Sequence, residues 1–387
     1  MIRNIKVMLV PNNKQKTKMF QYAGAARFAY NWAVAREKEN FSKNGKFLSD
    51  NDLRKEFTIM KHTDEYAWLN DVSNNVTKQA IKDAVDAYKK SFKGLSRAPR
   101  FKSGKRSAPS FYQDTAKIKF TDTHVKLEGF ASSKKPNKQK LNWVRLAEHG
   151  RIPTDCKYTN PRITFDGLNW WISVGIETQG CTSRLAGDGI GIDLGIKDLA
   201  ICSDGNTYKN INKSRKVKKL EKQKRRLQRS VSRKYVLNKK GGSYCKTRNI
   251  VKNEMRLLKV THRLTNIRKD YISQTTTEIV NRKPRFIVIE DLNVSGMMKN
   301  RHLSKAVQNQ GFYEFRRQLT YKCEDMVISL VIADRFFPSS KLCSCCGKIK
   351  TDLKLSDRIY RCECGNVIDR DFQASVNLKA YGEQSVS

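Results

Sequence analysis

Cys343-Ser-Cys-Cys346-Gly and Cys362-Glu-Cys364-Gly place four thiols in two turns near the end of a 387-residue chain. Thiolate sulfur is a soft ligand suited to tetrahedral Zn2+, and a glycine after each pair frees the backbone to turn back toward the metal. The second pair encloses one residue rather than the usual two, and Cys345 is a spare thiol within the first. Asp369-Arg-Asp371 follows at once and opens an amphipathic helix. Two more acids stand in apolar runs that read as buried strands: Asp193 in Gly-Ile-Asp193-Leu-Gly and Glu290 in Phe286-Ile-Val-Ile-Glu290-Asp-Leu. A carboxylate on a buried strand is costly unless a metal or partner compensates it. Three such groups converging on two divalent ions about 3.5–4 Å apart make a phosphodiester hydrolase, one ion activating water and the other stabilising the leaving oxygen. Magnesium, hard and oxygen-seeking, suits that task. Asp369 competes with Asp371 and Asp291 with Glu290. Asp369 is better placed to cap the helix, and Asp291 starts a loop, which favours Asp371 and Glu290 as ligands.

Residues 1–10 read as a strand closed by Pro11, and residues 11–92 as helical, with a helix from Val76 to Phe92. Arg97 to Arg106 is a basic loop, and residues 110–178 alternate as a small β-barrel or sheet to which the first strand can add. After Gly187, Ile190–Leu194 and Asp198–Cys202 read as a hairpin. Lys213 to Lys240 holds fourteen Lys or Arg residues and one acid, Glu221, a density that favours phosphate contact over a merely solvated face. Among these, Lys218, Lys222, Arg225, Arg226 and Arg229 are candidate contacts. Leu257, Val260, Leu264, Ile267 and Tyr271 repeat at spacings of three and four on the next helix, which needs only packing to explain it. Phe286–Glu290 reads as a strand, Phe312–Asp325 as a helix and Met326–Phe336 as a strand. In a mixed sheet covered by helices, Asp193 then lies on the first strand, Glu290 at the end of a later one and Asp371 on the last helix.

A formal charge of +40, with 77 basic against 37 acidic residues, is tolerable when a polyanion occupies the surface. A ribosomal or chromatin-like packing protein satisfies the charge alone but leaves the acids unexplained. No apolar run reaches the length of a membrane span. The N-terminus shows no signal-peptide pattern, so the reading is a cytoplasmic, reduced protein, nucleoid-associated when bound to DNA. Cys156, Cys181, Cys202, Cys245 and Cys323 are scattered and read as packing residues. The five histidines form no pair at ligand spacing, so no Ser/His or His-metal site is supported.

Gly191-Ile-Asp193-Leu-Gly-Ile-Lys-Asp198, Ile289-Glu290-Asp-Leu, Phe337-Pro-Ser-Ser-Lys-Leu-Cys343 and Asp369-Arg-Asp371, with Gly24-Ala-Ala-Arg-Phe-Ala-Tyr-Asn31, resemble the TnpB family. These are OrfB-type insertion-sequence proteins that act as RNA-guided DNA endonucleases and are related to compact type V CRISPR effectors. The resemblance covers essentially the whole length. It implies an α/β multidomain fold: a RuvC-like nuclease domain of RNase H topology with a zinc-ribbon insertion, preceded by a wedge β-barrel that carries an inserted helical recognition domain. The corresponding boundaries are 1–10 and 106–184 for the barrel and 11–105 for the recognition domain. The nuclease spans 185–342, with a basic helical segment 213–280, the zinc insertion 343–368 and the last nuclease helix 369–387. Asp193, Glu290 and Asp371 fall on the family's catalytic acids, and Cys343, Cys346, Cys362 and Cys364 on its zinc ligands. The implied partners are a transposon-end-derived guide RNA and double-stranded target DNA beside a short adjacent motif, bound by a monomeric ribonucleoprotein. Asn74, Lys78, Gln113 and Thr115 would read that motif. Gln373-Ala-Ser375 stands where the family has Asn-Ala-Ala, and Ser273 where a histidine is common. A strand transferase lacks support, because no catalytic Tyr with paired histidines is present. A nuclease-inactive or domesticated zinc-stapled regulator, or a transposition accessory protein, is opposed by the intact acids.

Overall fold

In the computed structural model, which describes residues 2–44, 46–131, 140–178, 185, 187–354 and 357–386, the chain divides into two units, Met1–Gln179 and Gly180–Ser387. Cys181 and residues 179–184 at the expected domain boundary lie outside the described residues.

The first unit is a seven-stranded antiparallel sheet with a helical insertion. Its elements are β1 (Ile2–Val10), α1 (Asn13–Asn44), α2 (Asp50–Lys61), a 3-10 turn (Asp64–Asp71), α3 (Asn74–Phe92), β2 (Ser110–Tyr112), β3 (Lys119–Phe120), β4 (His124–Lys126), β5 (Trp143–Leu146), β6 (Tyr158–Phe165) and β7 (Trp170–Glu177). The strand order is β2-β6-β7-β1-β5-β4-β3, so the first strand of the chain lies in the middle of the sheet. It runs the full length of β7, from Ile2 opposite Glu177 to Leu9 opposite Trp170. Alternation places Val7, Leu9, Ile172 and Val174 in one core with the helices. The sheet curls: the ring of Phe120 on one edge strand packs at a tilt, 4.7 Å between centroids, on Tyr158 of β6, near the other edge. Gln15 anchors the start of α1 by donating to the carbonyls of Leu141 and Trp143, at 3.0 and 2.9 Å. Helix α3 starts two residues before Val76 because the Ser73 hydroxyl accepts from the Asn75 amide and caps it.

The second unit holds β8 (Ile190–Leu194), β9 (Asp198–Cys202), β10 (Thr207–Lys209), α4 (Arg215–Leu237), the short pair β11 (Lys239–Lys240) and β12 (Ser243–Tyr244), and α5 (Arg248–Asn281). Then follow β13 (Phe286–Glu290), α6 (Val294–Lys299), α7 (Ser304–Gln310), α8 (Phe312–Met326), β14 (Ser329–Ala333), β15 (Ile359–Arg361), β16 (Val367–Asp369) and α9 (Arg370–Val386). Its main sheet has the order β10-β9-β8-β13-β14, with the first three strands antiparallel and β13 parallel to both β8 and β14. β13 reads as an unbroken apolar run because both its faces are covered. Ile287 and Ile289 join the core built with α5 and α8, while Phe286 and Val288 face Leu378 of α9. β14 is shorter than the apolar run Met326–Phe336. Val327 takes a left-handed conformation (φ 57°) that ends α8, and the strand pairs only from Ser329 to Ala333. Helices α4 and α5 form a hairpin zipped by Val217, Leu220, Val260 and Leu264. Among the described residues, no helix is long and apolar enough to cross a membrane.

Candidate active site

The three expected acids come together although 178 positions separate the first from the last. Asp193 is the fourth residue of β8, Glu290 is the last of β13, and Asp371 lies in the first turn of α9. All three line one cavity of about 400 Å³, with Lys341, Arg358 and Arg370 around it. Two local features bring α9 onto the strands. Gly191 has no side chain because a Cβ there would collide with the Ser375 carbonyl and the Lys379 amide of α9, so helix and strand backbones touch. Asp369 caps the helix, its carboxylate accepting from the amides of Asp371 and Phe372 at 2.9 and 3.1 Å. That commits Asp369 to the helix end and leaves Asp371 facing the cavity. Asp291 is likewise committed elsewhere, to ion pairs with Arg316 at 2.8 Å and with Arg335.

The electrostatics are those of acids awaiting cations. Burial, then the nearby charges of Glu290 and Asp371, holds the Asp193 carboxyl well above the usual carboxylate range. Burial also raises Glu290, partly offset by the hydroxyl of Ser339, which donates to it. Asp371 differs in having arginine partners, Arg370 at 3.0 Å and Arg358 at 3.6 Å. This donor set, hard oxygens of which those of Asp193 and Glu290 are buried with no salt bridge among the described residues, fits divalent cations. A measurable consequence follows from the raised Asp193. A buried acid whose folded pKa exceeds its unfolded one costs nothing while both forms are protonated, and destabilises the fold once pH rises above the unfolded value of about 4. Asp193→Asn protein kept free of Mg2+ but loaded with zinc should therefore melt at a higher temperature than wild type under the same conditions at neutral pH, with the gap closing as pH falls toward about 4. Equal melting temperatures across that range would refute the electrostatic reading.

The four cysteine sulfurs all lie within 4.8 Å of one another, as a tetrahedral metal requires. Cys343 is 3.6 Å from Cys364, and Cys346 is 3.6 Å from Cys362. Each turn closes through a glycine in the left-handed region, Gly347 at φ 73° and Gly365 at φ 89°, whose amides donate to the carbonyls of Cys343 and Cys362 at 3.0 Å. Burial pushes the Cys343 thiol up, but donation from the Cys346 backbone and the Asn366 amide outweighs it and brings it down to about 6, ready to bind as thiolate. The one-residue spacing of the second pair is no obstacle, and the cluster fits Zn2+. The exposed Cys345 lies outside it.

Gln373 ties this clip to the helix that carries Asp371. Its amide donates to the Leu342 carbonyl at 2.7 Å, and its oxygen accepts from Ser344 at 2.9 Å and Asn366 at 3.4 Å, so it reaches both turns. One helical turn on, Asn377 donates to the carbonyls of Ser339 and Leu342, both at 2.7 Å. The departure from Asn at position 373 thus has a structural account: the side chain holds the clip rather than facing the acids. Ser339, Arg358 and Arg370 were not assigned roles from sequence, and Gln373 was marked there only as a departure from the family pattern. Ser339 lies inside Phe337-Pro-Ser-Ser-Lys-Leu-Cys343, but nothing in its spacing shows that it donates to Glu290.

Lys218, Lys222, Arg225, Arg226 and Arg229 are exposed on α4, and none is paired with a carboxylate among the described residues. Glu221, the helix's acid, is taken by Arg268 at 2.8 Å. Neutralising four of the five with glutamine should lower the log–log salt slope of nucleic-acid binding by roughly 0.7–0.9 for each phosphate interaction removed. An unchanged slope would show a solvated face. In the first unit, Asn74, Lys78 and Thr115 are exposed, and Asn75 links the start of α3 to the 114–117 turn by donating to Asp114 at 2.6 Å. Gln113 corrects the sequence reading. It is 1% exposed with its oxygen accepting from the Glu128 amide at 2.7 Å, so it braces this turn from beneath instead of presenting an amide to a base edge.

A protein of Streptomyces pristinaespiralis, named provisionally as an RNA-guided DNA endonuclease, is 30% identical over 98% of this chain and 89% of its own length. The chain belongs to the TnpB family. The Escherichia coli K12 member InsQ, with the same provisional description, is 28% identical over 98% of this chain and 92% of its length. The OrfB family model described as a probable transposase matches residues 181–301. A Cas12f1-like TNB domain model matches 312–378 and a helix-turn-helix model 1–46. The fold is similar to the protein chain in a cryo-EM structure of a Cas12f1–sgRNA–target DNA complex, with a TM-score of 0.63 at 12% identity over 98% of each chain.

Proposed function

We propose that this TnpB-family protein is an RNA-guided DNA endonuclease that cleaves double-stranded DNA with two Mg2+ ions. The observation that carries the proposal is the meeting of Asp193, Glu290 and Asp371 in one cavity of a mixed, helix-covered sheet. The order β10-β9-β8-β13-β14, antiparallel then parallel, supports reading residues 185–342 and 369–387 as a RuvC-like domain of RNase H topology, with 343–368 as its zinc insertion. The central place of β1 among β2–β7 supports a wedge barrel formed by residues 1–10 and 106–184, with residues 11–105 as the inserted recognition domain.

Asp193, Glu290 and Asp371 would hold the ions, which when bound activate water and stabilise the departing 3′ oxygen. The protein's own contribution is placement. Two acids are held on rigid strands, Ser339 fixes the orientation of Glu290, and Arg358 and Arg370 bring positive charge to the cavity where a phosphate must sit. The zinc clip, tied to α9 through Gln373 and Asn377, fixes the third acid. Guide RNA would lie on surfaces such as α4, and Asn74, Lys78 and Thr115 would meet the duplex beside the target, since base pairing to a guide leaves only a short motif for the protein to read. Purifying the protein from cells that carry its locus, sequencing the RNA that co-purifies and assaying a guide-matched plasmid test this reading. Cleavage confined to matched DNA is expected. RNA-independent nicking, or binding without cleavage in Mg2+, would overturn it.

A further inference from the structure

The first unit contains a cavity of about 830 Å³ that the catalytic scheme does not use. Its walls are aromatic: Phe28 from α1, Tyr66 and Trp68 from the 3-10 turn, and Phe101 from the basic loop. Trp68 meets Phe28 edge-on at 5.4 Å, and Tyr66 lies 5.7 Å from the same ring, so the rings form an angled cradle rather than a closed core. Trp68 remains 46% exposed and Phe101 54%, so both rings leave surface accessible at the cavity, Phe101 also carrying Lys38 Nζ 4.6 Å from its centroid. The floor is Gly24. A Cβ there would meet nothing within 4 Å, so no packing contact requires glycine, although glycine weakens a helix interior relative to alanine. What its absence of a side chain leaves is open space on the same lining as the rings.

The loop that supplies Phe101 is basic, and Arg27 stands on the lining itself. Residues 97–106 contribute exposed Arg97, Arg100, Lys105 and Arg106 and no acid. Asn31 pins this loop beside the cavity, donating to the Lys102 carbonyl and accepting from the Lys102 amide, each at 2.8 Å. Arg27 lies against Gly104, where a Cβ would come 3.0 Å from its guanidinium. Asp71 and Gln21 on the lining offer hydrogen-bonding groups to a base edge. An apolar peptide or a second copy of this basic chain has no use for such a loop. Aromatic faces beside a cationic track are the means by which proteins hold unpaired bases.

We infer that this cavity receives one unpaired nucleobase of the guide RNA, stacked among Phe28, Tyr66, Trp68 and Phe101, with its neighbouring phosphates on the loop of residues 97–106. Target DNA is paired and stacked until the guide opens it and displaces one strand, whereas loops and ends of the guide RNA offer splayed bases in the ribonucleoprotein itself, which is why the occupant is RNA. The inference rests on the proposed RNA-guided function.

The test is ultraviolet crosslinking of the native ribonucleoprotein, with mass spectrometry of the adducts, on wild type, Gly24→Ala and Gly24→Leu. Leucine suits a helix as well as most residues and fills the floor, while alanine controls for the loss of glycine. Wild type and Gly24→Ala should carry a ribonucleotide on Trp68, Tyr66 or Phe101. Gly24→Leu should lose that adduct and bind guide RNA about tenfold more weakly, the worth of one stacked base. The inference is overturned if RNA co-purifies without an adduct in this cavity or if Gly24→Leu binds RNA as wild type does. It is also overturned if the adduct is a deoxynucleotide seen only after target DNA is added. Absence of any co-purifying RNA would overturn the proposed function along with it, so the two failures are distinguishable.

Discussion

Alanine at Asp193, Glu290 or Asp371 should lower the cleavage rate by at least about a thousandfold if they hold the ions as proposed, because metal ligands supply several kcal/mol of transition-state stabilisation and each ~1.36 kcal/mol is a factor of ten. Guide RNA and target binding should stay within about twofold of wild type, since affinity comes chiefly from phosphates neutralised elsewhere. Asp369→Ala should behave differently. It removes two bonds to the first amides of α9 and costs about 1 kcal/mol of helix stability, so cleavage should fall modestly and stability with it. Single-turnover cleavage beside an RNA-binding assay separates the two cases. If Asp369→Ala were the dead variant and Asp371→Ala an active one, the assignment of the third acid would be reversed.

The second large effect concerns the clip. Purified protein should contain one zinc per chain, and protein stripped of zinc with a strong chelator and then returned to excess Mg2+ should no longer cleave, because structural zinc contributes apparent folding energies of about 10–16 kcal/mol in small zinc domains. Cys346→Ser should cause the same loss. Cys345→Ser should not, since that thiol is exposed and outside the cluster. The defect should be visible in α9 as well as in the clip, through faster amide exchange near Asp371 on zinc removal. Active protein with no zinc on elemental analysis would end this account.

The acids and cysteines were legible because their chemistry sets their local context. A carboxylate ending an apolar strand and a thiol pair before glycine are costly arrangements without a ligand. The supporting residues were not. Ser339, Arg358 and Gln373 are ordinary polar residues in loops and on a helix, and their roles arise only from which carboxylate or carbonyl the tertiary fold places beside them. Gln113 misled because its role was taken from resemblance, which carries no burial, whereas the tertiary fold buries it and sets its oxygen on the Glu128 amide. The helical insertion was legible as periodicity, but the start of α3 depended on a cap at Ser73 that apolar spacing does not reveal. The length of β14 depended on a left-handed Val327 with no sequence signal.

The backbone-to-backbone contact of Gly191 with α9 also sets a timetable. Helix α9 follows every other element of its unit in the chain, and β8 leaves the ribosome well before it. At about 5–20 residues per second, Asp193 waits roughly 10–40 s for Asp371 to be synthesised. During that interval the nascent chain already displays α4, with its cations open to nucleic acid, while the cutting centre lacks its third wall. Under the proposed function, a nascent chain could thus engage its RNA before it became capable of damaging DNA, and ribosomes stalled short of α9 would release products that bind but do not cut.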